Sequence, residues 1–156
     1  MTTIFENYES PWINEELNIL RDAARRFFER EFIPENNRWI EQGKVDREAW
    51  NKAGEAGLLC AEVPTRYGGA GGDYRHETVV TEEQLTAGIS GFGNQVHSQI
   101  VAPYLLHYGN EDQKQRWLPR MASGEMVGAI AMTEPNTGSD LQNVRTTAKR
   151  QGDSYI

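Results

Sequence analysis

Three hydroxyls crowd one short stretch of the chain. Thr133, Thr137 and Ser139 stand within Gly128-Ala129-Ile130-Ala131-Met132-Thr133-Glu134-Pro135-Asn136-Thr137-Gly138-Ser139-Asp140. The small and branched apolar residues before them read as a buried strand bounded by a turn. Pro135 then fixes one φ and removes a donor, Asn136 favours a turn, and Gly138 can take φ > 0. A loop of this make can aim N–H and O–H donors at an anionic or polar ligand such as a pyrophosphate. The same residues also suit a strand-to-turn corner whose hydroxyls cap their own backbone. Glu134, in the middle of the loop, could be mistaken for a catalytic base; next to a proline turn, a structural role suits it better.

Other residues with chemical potential read as structure. Cys60, between Leu59 and Ala61, has the setting of a buried small hydrophobe, with no nearby His or base. As the only cysteine, it allows neither an internal disulfide nor a Cys-based metal site. His97 has no Asp or Cys at ligand spacing and is expected to be solvated or hydrogen-bonded, so no metal ligand is named. Trp39 is expected in the core. The stretch Val63-Pro64-Thr65-Arg66-Tyr67-Gly68-Gly69-Ala70-Gly71-Gly72-Asp73 is too glycine-rich for a helix. It lacks the Lys-Ser/Thr of a phosphate-binding loop and a preceding parallel strand, so it reads as a structural turn.

The elements that must hold these residues are mostly helical. A first helix starts at the cap Asn14, with Leu17, Leu20, Ala24, Phe27 and Phe28 on one stripe, and Pro34 should kink or end it before Trp39 and Gly43. A second runs from Asp46 through Trp50 and Ala53 toward Gly57. A third covers Tyr74 to Ala87 with Val79, Val80 and Leu85 inward. A fourth covers Phe92 to Tyr108 through Pro103, with Val96, Ile100, Val101, Leu105 and Leu106 inward. Asn110 and Gln113 form a capping box for Glu111 to Leu118, with Trp117 inward and Gly124 closing the helical region. From Met126 the period changes to two: strands are expected at Met126 to Met132, over Val144 to Lys149, and from Ser154 after a turn at Gln151-Gly152-Asp153. A sheet that stops there leaves unpaired edges, so the β part is expected to be truncated.

Composition agrees. A chain of 156 residues suggests one domain with the start of a second, and 38% hydrophobic residues suffice for a core. The mean hydropathy of −0.68 fits long amphipathic helices with solvated faces. A net charge of −7 argues against nucleic acid as partner. Residues 1–10 show neither a basic start nor an apolar run, so no secretory signal is read. No stretch approaches the ~18 apolar residues of a membrane span. A soluble, reducing, cytoplasmic setting is expected.

The string Ala131-Met132-Thr133-Glu134-Pro135-x-x-Gly138-Ser139-Asp140 resembles the flavin-binding signature of acyl-CoA dehydrogenases, where their middle β-domain begins. Pro64-x-x-Tyr67-Gly68-Gly69-x-Gly71 is similar to a loop between helices of that family. A third likeness is Gly109-x-x-x-Gln113-Lys114 before Trp117-Leu118-Pro119. The resemblance extends from about Asn14 to Ile156; Thr137, where a smaller residue is common, and Asn143 depart from it.

The resemblance implies a mainly α fold: an up-and-down helical N-terminal domain over residues 1–125, followed by the first strands of a truncated β-domain over 126–156. It implies FAD as cofactor and oxidation of acyl-CoA to trans-2-enoyl-CoA, a Glu taking the α-proton while hydride leaves to the flavin. Thr133 matches the position that hydrogen-bonds the flavin ring, with the Met132 backbone beside it; Gly138 and Ser139 match the turn at the FAD pyrophosphate, and Ser139 also neighbours the acyl-CoA. Gln95 and Val96 lie on the helix resembling the one at the far end of the acyl pocket, as candidates for chain-length control. The family's catalytic Glu belongs to a second helical domain, so no catalytic residue is assigned here. Electron-transfer flavoprotein or a similar acceptor, and a homo-oligomer, are the implied partners. Two other readings remain: a flavin monooxygenase or acyl-CoA oxidase relative, and a non-catalytic module that binds a partner or oligomerises.

Overall fold

The computed structural model describes residues 10–156. The reading of the first nine residues as free of a leader lies outside the described residues. The fold opens with α1 (Glu15–Phe27), whose cap Asn14 accepts the Leu17 N–H at 2.9 Å, with Glu15 and Glu16 in the first turn where the helix dipole favours them. The helix then neither ends nor breaks at Pro34. A wide π-turn (Phe28–Phe32) leads directly into α2 (Ile33–Gln42), with the Ile33 N–H bonded back to the Phe28 carbonyl. A proline placed just after such a turn occupies a position where the regular i→i−4 ladder is already interrupted. Gly43 ends α2 in the left-handed conformation.

Next come α3 (Arg47–Glu55), α4 (Tyr74–Thr86) and a helical stretch assembled like the first. In that stretch α5 (Asn94–Val96) passes through a second π-turn (His97–Val101) into α6 (Ala102–Tyr108), with Pro103 in the first turn of α6. Last is α7 (Glu111–Ala122), whose Asn110/Gln113 capping box has both reciprocal bonds at 2.9 Å. Between α3 and α4, Val63 and Ala61 offer carbonyls to the N–H groups of Gly71 and Gly72, closing the glycine-rich loop on itself as a turn.

α1 packs on α4, and α6 on α7. The Glu16–His76 contact and the ion pairs Arg21–Glu82 and Arg25–Glu83 ascend together along α1 and α4, so those two helices run parallel. One apolar cluster joins Phe27, Phe28, Phe32, Trp39, Trp50, Leu58 and Phe92, with rings meeting edge to face at 4.9–5.5 Å for Phe32–Phe92, Phe32–Trp39 and Phe27–Phe28. A second joins Cys60, Val63, Tyr67, Ala102, Leu118 and Met121. The backbones of α3 and α7 meet closely. A Cβ on Gly124 (φ +74°) would lie 2.1 Å from the Trp50 carbonyl oxygen, so only glycine fits.

Several expectations need correction. Leu85 is 58% exposed, and α4 instead buries Glu77, Glu83 and Gln84. Val96 and Ile100 are exposed, because the π-turn rotates the inward face onto Asn94, His97, Ser98 and Ala102. Residues 127–133 form no strand and are not buried: Ile130 and Met132 are about 40% exposed, and no described segment supplies them a ladder partner. The same holds for Val144 to Ala148. The only sheet among the described residues is a two-residue antiparallel pair, β1 (Arg150–Gln151) with β2 (Ser154–Tyr155), around the expected Gly152 turn. Trp117 is half-buried. No helix among the described residues is long and apolar enough to cross a membrane.

Candidate functional site

The hydroxyl-rich loop is built around a very tight closure. Glu134 and Thr137 exchange both backbone hydrogen bonds at 3.0 Å, with Pro135 and Asn136 at the tip. That pairing sets Met132-Thr133 and Gly138-Ser139 side by side as the two arms leaving the turn. Sequence-predicted Met132, Thr133, Gly138 and Ser139 are thus brought together, all on the exposed side.

The three hydroxyls divide into two roles. Thr137 is buried, and its Oγ1 donates to the Asn143 carbonyl at 3.0 Å, the self-capping role weighed above. Thr133 and Ser139 are exposed and, among the described residues, their hydroxyls make no hydrogen bond to protein. They remain available to a ligand.

Glu134 is a clasp. Its carboxylate accepts the N–H groups of Arg145 and Thr146 at 2.9 Å each and the Thr146 hydroxyl as well. The Thr146 hydroxyl, followed by those two amides, holds its pKa below the ordinary carboxylate range. A carboxylate so occupied is a poor proton acceptor.

His97, expected to be solvated or hydrogen-bonded, is fully buried and doubly bonded. Its Nδ1 accepts the N–H of Gly128 at 2.9 Å, and its Nε2 lies 3.1 Å from the Met121 carbonyl oxygen. These partners assign the proton to Nε2. Burial lowers its pKa, and the Met121 carbonyl opposes that shift. The absence of a base near Cys60 is also corrected: His97 Nε2 is 3.6 Å from the Cys60 sulfur. The thiol nevertheless stays inert, because burial pushes its pKa up to about 12 and the Nε2 proton is directed at Met121. Sequence spacing gave no signal for this meeting, since 37 residues separate the two.

Glu77 is a further buried polar group. It has 0% exposure, its Oε1 accepts the Glu62 N–H at 3.2 Å, and its Oε2 has no partner among the described residues. Burial raises its pKa to about 7. Gln95 is half-buried and Val96 exposed, both immediately before the turn that begins at His97. Beside Gly128 lies an apolar groove lined by Val101, Tyr104, Leu105, Trp117, Met121, Met126 and Ala129. Among the described residues no cluster of His, Cys, Asp and Glu could hold a metal ion.

Comparison with known proteins bears on this arrangement. The family model described as acyl-CoA dehydrogenase, N-terminal domain, matches residues 14–125. The chain is 47% identical over 141 residues to the mitochondrial long-chain specific acyl-CoA dehydrogenase of Sus scrofa, covering 90% of this chain and 33% of that protein. It is similar to the acyl-CoA dehydrogenase structure from Geobacillus kaustophilus, with a TM-score of 0.89 and 44% identity over 95% of this chain and 39% of the other. It is also similar to the Bacillus anthracis acyl-CoA dehydrogenase complexed with FAD, with a TM-score of 0.84 and 32% identity over 96% of this chain and 26% of the other. The chain spans about a third of the length of the curated relatives it matches. A family model that accounts for nearly the whole helical part, with solved relatives superposing on it, establishes that the chain belongs to the acyl-CoA dehydrogenase family.

Proposed function

We propose that these residues form the N-terminal part of an FAD-dependent acyl-CoA dehydrogenase that oxidises acyl-CoA to trans-2-enoyl-CoA. The observation that carries this reading is the division of hydroxyls on the 132–139 loop: Thr137 is spent on the loop itself, whereas Thr133 and Ser139 stand exposed on its two arms. That donor set fits a flavin with a pyrophosphate: hydroxyl and backbone N–H donors, a glycine for close approach, and the Glu134 carboxylate held by the Arg145 and Thr146 amides. In this reading Thr133, with the Met132 backbone, holds the ring, and Gly138 and Ser139 hold the pyrophosphate, Ser139 also meeting the substrate. Bound there, FAD supplies hydride acceptance. This chain's contribution is to bind and orient; Gln95 and Val96 are proposed at the far end of the acyl pocket.

Proton abstraction belongs to a Glu outside the matched helical domain, so the 156 residues are not expected to turn over alone. In the same proposal the helical domain ends at about residue 125, and residues 126–156 begin the β-domain. Electron-transfer flavoprotein or a similar acceptor, and self-association, belong to the same proposal. A single buried thiol fits a reducing compartment such as the cytoplasm.

A fluorescence and absorbance titration with FAD tests the reading. Saturable binding that Ser139→Ala and Thr133→Val each weaken by about tenfold supports it. Binding that both variants leave unchanged overturns the assignment of those residues.

A further inference from the structure

We propose that His97 is a positioning residue for the flavin-binding segment: through its bond to Gly128 it fixes where residues 128–139 leave the helical core. The proposal rests on the reading of that segment as flavin-binding.

Four observations carry it. First, among the described residues the bond from Gly128 N–H to His97 Nδ1 is the last hydrogen bond between the helical core and the chain that follows; every later one, from Glu134 onward, is internal to the loop and the β1–β2 pair. Where the loop starts therefore depends on it. Second, the imidazole is itself held rigidly. It is fully buried, Trp50 meets its ring edge-on at 5.3 Å, and Nε2–H is directed at the Met121 carbonyl of α7. A histidine whose one nitrogen donates has the other committed as an acceptor. Third, the partner is a glycine for a packing reason. A Cβ on Gly128 would lie 2.8 Å from Val101 Cγ1 and 3.0 Å from Met121 Cε, so a side chain there would have to displace Val101 or draw the backbone away from the imidazole. Fourth, the acceptor is kept unprotonated by its surroundings. The groups facing His97 are the Cys60 thiol at 3.6 Å, which burial and then Glu77 keep protonated, and the Arg47 guanidinium of α3, which disfavours a second positive charge. No described carboxylate bonds to the ring.

Protonation of Nδ1 would turn acceptor into donor and set it against the Gly128 N–H. The position thus demands one tautomer. An amide at the same place can also supply an acceptor at the δ position, so Asn is the conservative replacement and Leu the disruptive one.

The experiment uses NMR on the full 156-residue chain, with FAD as the probe ligand. Imidazole ¹⁵N shifts are expected to show a pyridine-like Nδ1 and a pyrrole-like Nε2, unchanged down to about pH 6, below the midpoint of an ordinary imidazole. The Gly128 amide is expected to exchange slowly, to lose about tenfold of that protection in His97→Leu, and to regain it in His97→Asn. FAD affinity should follow the same order. An Nδ1–H tautomer, an imidazolium at about pH 6, or a Gly128 amide exchanging as fast as Ala131 overturns the proposal; these are read on the unaltered chain and do not depend on any variant folding. Equal FAD binding by the unaltered chain and His97→Leu also overturns it. Intact anchor signals with no FAD binding support the anchor and count against the flavin reading instead.

Discussion

The hydroxyl of Thr137 donates to the carbonyl oxygen of Asn143 at 3.0 Å, so the closed turn at Pro135-Asn136 is bonded to the segment that follows it. Asn143 in turn bonds through its side-chain amide to Asp140. The hydroxyl that a smaller residue would lack is used to tie the turn to the following segment.

Thr137→Val keeps the shape of this buried side chain and removes the bond. A net loss of about 1 kcal/mol is expected, confined to the loop, because one side chain to backbone hydrogen bond is removed. Hydrogen exchange at the Glu134 and Thr137 amides should accelerate about fivefold while α1 and α4 amides are unchanged. Unchanged exchange in the loop would show that the bond carries no weight there.

The Glu134 clasp predicts an acid-sensitive loop. Its pKa is lowered in the fold, so its contribution is present above the ordinary carboxylate pKa and is lost as pH falls through the depressed value. The Arg145 and Thr146 amides should lose protection first in that acid range, before the helices respond. In Glu134→Gln the same amides should be weakly protected at every pH, and FAD binding should fall without becoming pH-dependent. Retained protection in the variant would remove the carboxylate from the loop's support.

Glu77 predicts the opposite slope. Burial raises its pKa from 4.5 to about 7, so the folded chain holds a proton that the unfolded chain has released. The stabilisation is complete below the unfolded pKa and declines as pH rises toward 7, by about 3 kcal/mol at most. Glu77→Gln cannot ionise and keeps the oxygen that accepts the Glu62 N–H. Its Tm should exceed that of the unaltered chain at about pH 8 and converge with it at about pH 5. A difference in Tm that does not vary with pH would mean that Glu77 is not the group responsible.

What was legible in the sequence was local chemistry. Asn14 caps α1 and Asn110 with Gln113 caps α7, because those bonds span three residues and need nothing beyond them. The glycine-rich turn and the closure at Pro135-Asn136 were legible for the same reason. What escaped depends on partners distant in the chain. Glu83 is inward because Arg21 and Arg25 of α1 reach it, so the periodicity that put Leu85 there saw only half of the contact. A run such as Met126 to Met132 has strand composition, yet a strand exists only with a neighbour to pair with. For His97 a hydrogen-bonded role could be expected from sequence, but not its partners, which lie 24 and 31 residues away.

The π-turn that begins at His97 also sets an angular phase. A wide turn holds one residue more than regular winding, and each residue of an α-helix advances the face by about 100°. Asn94 and His97 precede that extra step, while Ala102, which faces the same core, follows it. Removing one residue between Ser98 and Val101 would restore an even pitch and turn the imidazole about a quarter of the way around the axis relative to α6. The chain would keep its composition of helices and its motif intact, and yet the two would no longer be aimed at each other.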